Sequence, residues 1–136
     1  MTPANTFDSQ KIRDVLVQKL SGDTELKTPG GADFEVERVE QARLILRVGK
    51  IRFPLYLRLS CLDELAKECN RLPPNQWMRI GAIHGTPDSS TLDSIVQKYT
   101  GGTSAASYLA SILEYIEVAE INRKRPQRIR LLPTNF

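Results

Sequence analysis

Histidine and cysteine are scarce in this chain, and each scarcity removes a class of chemistry. One histidine stands among 136 residues. His84 is expected near Gly85 at the end of a short helix, a common structural place for a lone imidazole. No second histidine exists for a zinc site or for a catalytic constellation that needs two. The two cysteines, Cys61 and Cys69, fall in one expected helix. Eight helical residues rise about 12 Å, too far for a disulfide, so reduced thiols in a cytoplasmic protein are expected. No run of 18 apolar residues is present, and no membrane span is expected. The opening "MTPANTFDSQ" has neither a basic nor an apolar region, so no signal peptide is expected. Val48-Gly49-Lys50 lacks the upstream glycine and the following hydroxyl residue of a phosphate loop. The expectation is a protein that is not an enzyme and carries no cofactor or metal.

What is present is an ordinary globular composition, 40% hydrophobic and 26% charged, enough for one domain or two small ones sharing a core. The distribution of charge says more than the net of +3. Residues 1–76 hold 12 basic and 11 acidic groups, and residues 77–121 hold two basic against five acidic. The last 15 residues hold five basic groups and no acid: Arg123, Lys124, Arg125, Arg128 and Arg130. Such a cluster, flanked by apolar residues, suits either a solvated tail or a surface for phosphates.

Hydrophobic spacing divides the chain into elements. Ile12, Val15, Leu16 and Leu20 predict a helix over 8–20, with Asp8 or Ser9 as its cap. "SGDTELKTPGG" (21–31) reads as a break. Alternation then predicts a three-strand meander over 34–39, 43–48 and 51–59. Leu44, Leu46 and Val48, with Phe53, Leu55 and Leu57, are expected on the core face. Pro54 cannot donate to a ladder, so its strand belongs at an edge or a bulge. Ser60 is expected to cap a second helix over 61–72, ended by Pro73-Pro74.

The second half predicts a short helix over 75–85 built on Trp77, Ile80 and Ile83. A helix over 90–99 follows, with Ser90 as cap and Asp93 completing a capping box. After "TGG" comes a helix over 103–116 capped by Thr103, burying Ala105, Tyr108, Leu109, Ile112, Leu113 and Ile116. Two strands, 117–123 and 127–132, close the chain. Residues 77–132, about 40% of the chain, resemble the winged-helix superfamily in this order of three helices and a two-stranded ribbon. Many winged helices carry Gly where the third helix ends, and this chain carries Glu117. The expected fold is therefore α+β: an N-terminal helix, antiparallel meander and helix (1–74), then a winged helix (75–136).

The resemblance implies binding of double-stranded DNA, with Arg123, Lys124, Arg125, Arg128 and Arg130 on the wing against phosphates. Thr103, Ser104, Ser107 and Ser111 would face the groove from the third helix. No Arg, Asn or Gln accompanies those serines to make a bidentate base contact, so the wing is expected to dominate. A second basic face is formed on the meander by Arg43, Arg47, Arg52, Tyr56 and Arg58. It could hold a backbone and stack a base, or simply pair with Glu35, Glu37 and Glu40 across strands. Residues 1–74 are expected to form a homodimer or to recruit a protein partner. A competing expectation makes the winged helix a docking module within a larger assembly. A third takes Asp33, Glu35 and Glu37 as a magnesium-dependent nuclease site, although Arg38 stands where a lysine on the same side is needed.

Overall fold

The computed structural model describes residues 7–72, 76–81, 91–100, 105–124 and 126–132. Asp8 starts the first helix as its residue type predicts, its carboxylate accepting from the backbone N–H groups of Gln10 and Lys11. The helix, α1, runs Ser9–Lys19 and buries Ile12 and Leu16. Asn70 ties down the chain just before it, accepting from the Phe7 N–H and donating to the Phe7 carbonyl, both at 2.9 Å.

The segment expected to be a break contains a strand, β1 (Thr24–Lys27). It precedes β2 (Asp33–Val39), β3 (Arg43–Val48) and β4 (Phe53–Arg58) in an antiparallel meander of order β1-β2-β3-β4. The meander thus has four strands where three were expected. Four residues are too few for alternation to stand out; Leu26 becomes a strand residue because it pairs with Phe34. Gly22 leads into β1 under a close approach, since a Cβ there would lie 2.7 Å from the Glu37 carbonyl oxygen. Glu37 sits where the β2–β3 register shifts, a bulge that separates Val36 from Arg38.

Rows of paired residues decide the two faces of this sheet. Val36, Leu46 and Leu55 form one inward row, and Val39, Leu44 and Leu57 another. Phe53 occupies an inward row yet is 61% exposed. It lies at a corner where its partner Val48 is only half-buried, so its expected core place is corrected. Pro54 sits on the edge strand, as its missing N–H requires. The second helix, α2 (Cys61–Arg71), begins after Ser60, whose backbone is helical rather than extended and whose hydroxyl makes no cap bond. Ser60 therefore holds the cap position without the expected capping hydrogen bond.

Among the described residues there follow β5 (Met78–Arg79), α3 (Leu92–Val96), α4 (Ala106–Tyr115) and the ribbon β6 (Ala119–Asn122) with β7 (Arg128–Leu131). β5 replaces the described start of the helix expected over 75–85. Trp77 and Ile80 have helical spacing, but Met78 pairs with Ile129 and the Ile80 N–H reaches the Gln127 carbonyl. Ile83 and His84 lie outside the described residues, as do Pro73 and Pro74. Thr91, not Ser90, caps α3, accepting from the Ser94 N–H at 3.1 Å. Ser90 lies outside the described residues. That one-position shift takes Asp93 out of the capping box; it is buried and accepts from the Gln97 side chain at 2.6 Å. A single 3₁₀ turn over Gln97–Tyr99 ends the segment. Ala105 occupies the cap position of α4 and gives no side-chain cap bond, and Thr103 lies outside the described residues. The second sheet has the order β5-β7-β6.

One apolar cluster runs through both halves, from Leu16 and Phe34 through Leu62 to Leu92, Leu109 and Ile129. Phe34 meets Tyr108 edge-on, ring centroids 5.0 Å apart, tying the first sheet to α4. No described helix is long and apolar enough to cross a membrane.

Candidate nucleic-acid interface

The basic cluster near the end of the chain forms a hairpin, as its apolar flanks predict: β6 and β7 pair from Ala119↔Leu131 to Asn122↔Arg128. Its cations are not equally available. Arg123 is held by Glu114 of α4 in a two-pronged pair, at 2.8 and 2.6 Å. That hydrogen bond lowers the Glu114 pKa and raises that of Arg123. Arg130 pairs with Glu120 at 2.7 Å across the ribbon and lies over the Trp77 ring, 4.6 Å from its centroid. Lys124 and Arg128 are exposed, and neither pairs with a described acid within 4 Å. Arg125 lies outside the described residues.

The helix expected to face a groove is mostly core. α4 buries Ala106, Leu109, Ala110, Ser111, Ile112 and Leu113. Ser111 is only 6% exposed, and its hydroxyl has no described hydrogen-bond partner, so its expected outward place is corrected. It lies between Ala110 and Ile112 in a stretch packed from two sides, where a single outward stripe does not survive. Ser107 is half-buried, and Ser104 lies outside the described residues.

Glu117 takes the conformation for which glycine is best suited. Its φ is 66°, directly after the helix cap Ile116. The Val118 N–H reaches the Leu113 carbonyl and the Glu117 N–H reaches that of Glu114, both at 3.0 Å. These two bonds define a Schellman ending, so the turn from α4 into β6 is well specified without glycine.

The second basic face resolves into ion pairs and a groove. Arg47 pairs with Glu37 at 3.0 Å and Arg52 with Glu25 at 3.5 Å. Arg43 donates to Glu40 at 2.7 Å, which lowers the Glu40 pKa and raises that of Arg43. The expected cross-strand pairing therefore holds for Glu37; Glu40 pairs around the β2–β3 turn, Glu35 is in no ion pair within 4 Å among the described residues, and Glu25 is a further acid. Arg43 also lies over the Tyr56 ring, 4.9 Å from its centroid. Arg58 differs: no described acid pairs with it, its Nη2 donates to the Lys98 carbonyl at 3.0 Å, and it lies over Tyr99 at 5.6 Å.

Arg43, Tyr56 and Arg58 border a groove of about 830 Å³ that also takes in Arg13 and Tyr99. Sequence reasoning missed these last two. Arg13 is on α1 and Tyr99 follows α3, and only tertiary packing brings them to the β4 edge. The arginines of the meander were the available signal for the location.

Asp33, Glu35 and Glu37 do not gather. Asp33 pairs with Lys27 and Glu37 with Arg47, so two of the three carboxylates are held by cations. Among the described residues no group of three or more His, Cys, Asp or Glu is placed to hold a metal ion. Compared with known proteins, the chain matches no family model, no curated protein and no solved structure.

Proposed function

We propose that this protein binds double-stranded DNA without catalysing a reaction, as a winged helix whose ribbon, rather than its third helix, makes the contacts. The observation that supports the reading most is the ordered hairpin β6–β7 following α3 and α4, with exposed Lys124 and Arg128 beside its turn. α2 serves as the first helix in this reading, in place of the one expected over 75–85. β5, between α2 and α3, adds a third strand to the ribbon. The burial of α4 agrees with backbone contact and argues against reading base edges. Phosphate contacts position a protein on duplex without conferring sequence preference, so weak discrimination among sequences is expected.

Electrophoretic shift of a random duplex over a salt series tests the reading. Lys124→Ala with Arg128→Ala should weaken binding and reduce the salt slope by about 0.9 for each phosphate no longer neutralised. Absence of a shift at low salt, or a shift indifferent to salt, would refute it.

A second reading, a docking module for a protein partner, is favoured by the Arg123–Glu114 and Arg130–Glu120 pairs. They neutralise two of the ribbon's cations. A ribbon that fails to shift duplex while the chain still forms a defined complex with a purified partner would support it.

A further inference from the structure

We infer that the groove along the β4 edge is a second binding site, for an unpaired stretch of nucleic acid, distinct from the ribbon. Three guanidinium groups line it, from Arg13, Arg43 and Arg58, and among the described residues no acid does. Each guanidinium has five N–H donors, and each uses only part of them. Arg13 gives one nitrogen to the Leu59 carbonyl and Asp63, Arg43 gives one to Glu40, and Arg58 gives one to the Lys98 carbonyl. Apart from the Arg13 Nε, which is buried, the remaining donors are suited to anionic oxygens, and Arg58 has no described carboxylate to displace.

Charge alone would suit any polyanion, and the rings narrow the choice. Tyr56 is 49% exposed, and half-buried Tyr99 lines the same groove with Arg58 over its ring. Two arginine–tyrosine stacks beside one groove give flat surfaces alternating with cations. Phosphates spaced by bases have that same alternation, and stacking on an aromatic is available to every base. An acidic peptide has the charge without the flat groups. Duplex cannot use the rings, because its bases are already stacked on one another, so an unpaired strand fits the groove better.

The β4 backbone edge does not compete for this role. Pro54 removes one of its donors, and a peptide strand adding to the sheet would lack that ladder bond.

Fluorescence anisotropy of the full chain with a labelled oligothymidylate of about ten nucleotides tests the inference. The expected affinity falls with salt at a slope near 2, about 0.7 for each of three phosphates. Tyr56→Ala should weaken binding at least about fivefold, with Tyr56→Phe retaining it. Arg58→Gln should lower the slope by about 0.7. Both variants should leave the duplex shift unchanged. If circular dichroism shows Tyr56→Ala to be unfolded, Arg58→Gln carries the test.

Four results would overturn the inference. The first is no oligothymidylate binding at low salt. The second is polyglutamate competing as well as oligothymidylate, which marks an undiscriminating cationic patch. The third is thymidine monophosphate competing equally, which marks a site for a free nucleotide. The fourth is loss of oligothymidylate binding in Lys124→Ala with Arg128→Ala, which moves the strand to the ribbon. Failure of duplex binding alone leaves the inference standing, because no described ribbon residue lines the groove.

Discussion

Replacing Glu117 by glycine should stabilise this protein, although Glu117 takes part in an ion pair. At φ 66° an L-residue carries a steric cost that glycine lacks, about 1–2 kcal/mol. Glycine gives back about 0.4–1 kcal/mol through the extra freedom of its unfolded chain. The ion pair removed, Lys19 with Glu117 at 3.4 Å, has side chains 46% and 80% exposed, and such pairs contribute little. The balance favours glycine by about 0.5–1 kcal/mol, a rise in Tm of about 2–4 °C for a chain of this size. Urea unfolding should show a higher midpoint with an unchanged slope. Glu117→Ala is the decisive control: it keeps the left-handed cost and removes the pair, so it should be no more stable than the parent. A Glu117→Ala variant as stable as Glu117→Gly would show that backbone conformation is not what the glycine relieves. The Schellman bonds from Val118 and Glu117 should survive in Glu117→Gly, leaving the path into β6 unchanged.

Four further outcomes follow from the geometry. Gly22→Ala should destabilise by about 1–3 kcal/mol, because the new methyl would meet the Glu37 carbonyl at 2.7 Å, against backbone rather than a movable side chain; chemical denaturation checks it. Glu114→Gln should release Arg123 and, on the proposed function, strengthen duplex binding while steepening its salt slope by up to about 0.9; an unchanged slope would place Arg123 outside the contact surface. Burial pushes the Cys61 and Cys69 thiols up to about 12 from 9.0. The unfolded thiols ionise first as pH rises, so their contribution is intact below about pH 9 and should disappear between there and about pH 12, measurable as falling urea midpoints. A thiol reagent at neutral pH should accordingly react with the denatured chain far faster than with the native one.

Much of the architecture was legible in the residues because it depends on local periodicity. The spacing of Ile12 and Leu16, the alternation through β2, β3 and β4, and the edge place of Pro54 depend on neighbours within a few positions, and so does the hairpin around the basic cluster. The α+β class follows from them. What failed were elements whose conformation depends on distant partners. β1 exists because Leu26 meets Phe34, and β5 because Met78 meets Ile129; neither short segment has a period strong enough to declare itself. Ser111 was misplaced because a helix packed from two sides has no single outward stripe, and sequence spacing cannot show how many sides are covered.

Charge followed the same division. The sequence by itself determined where the cations are concentrated, and of the three acids it offered to the meander's arginines, Glu35, Glu37 and Glu40, the last two are paired. Only the tertiary structure decided which cations remain available. Arg123 was drawn to Glu114 by the closing of β6 onto α4, and Arg58 was left without a described acid at a sheet edge. Arg13 and Tyr99, 86 positions apart in sequence, became neighbours of one groove because α1 and the turn after α3 pack beside the same strand edge. An ion pair or a groove is a relation between distant segments, and such relations exist only once the core has fixed how those segments pack.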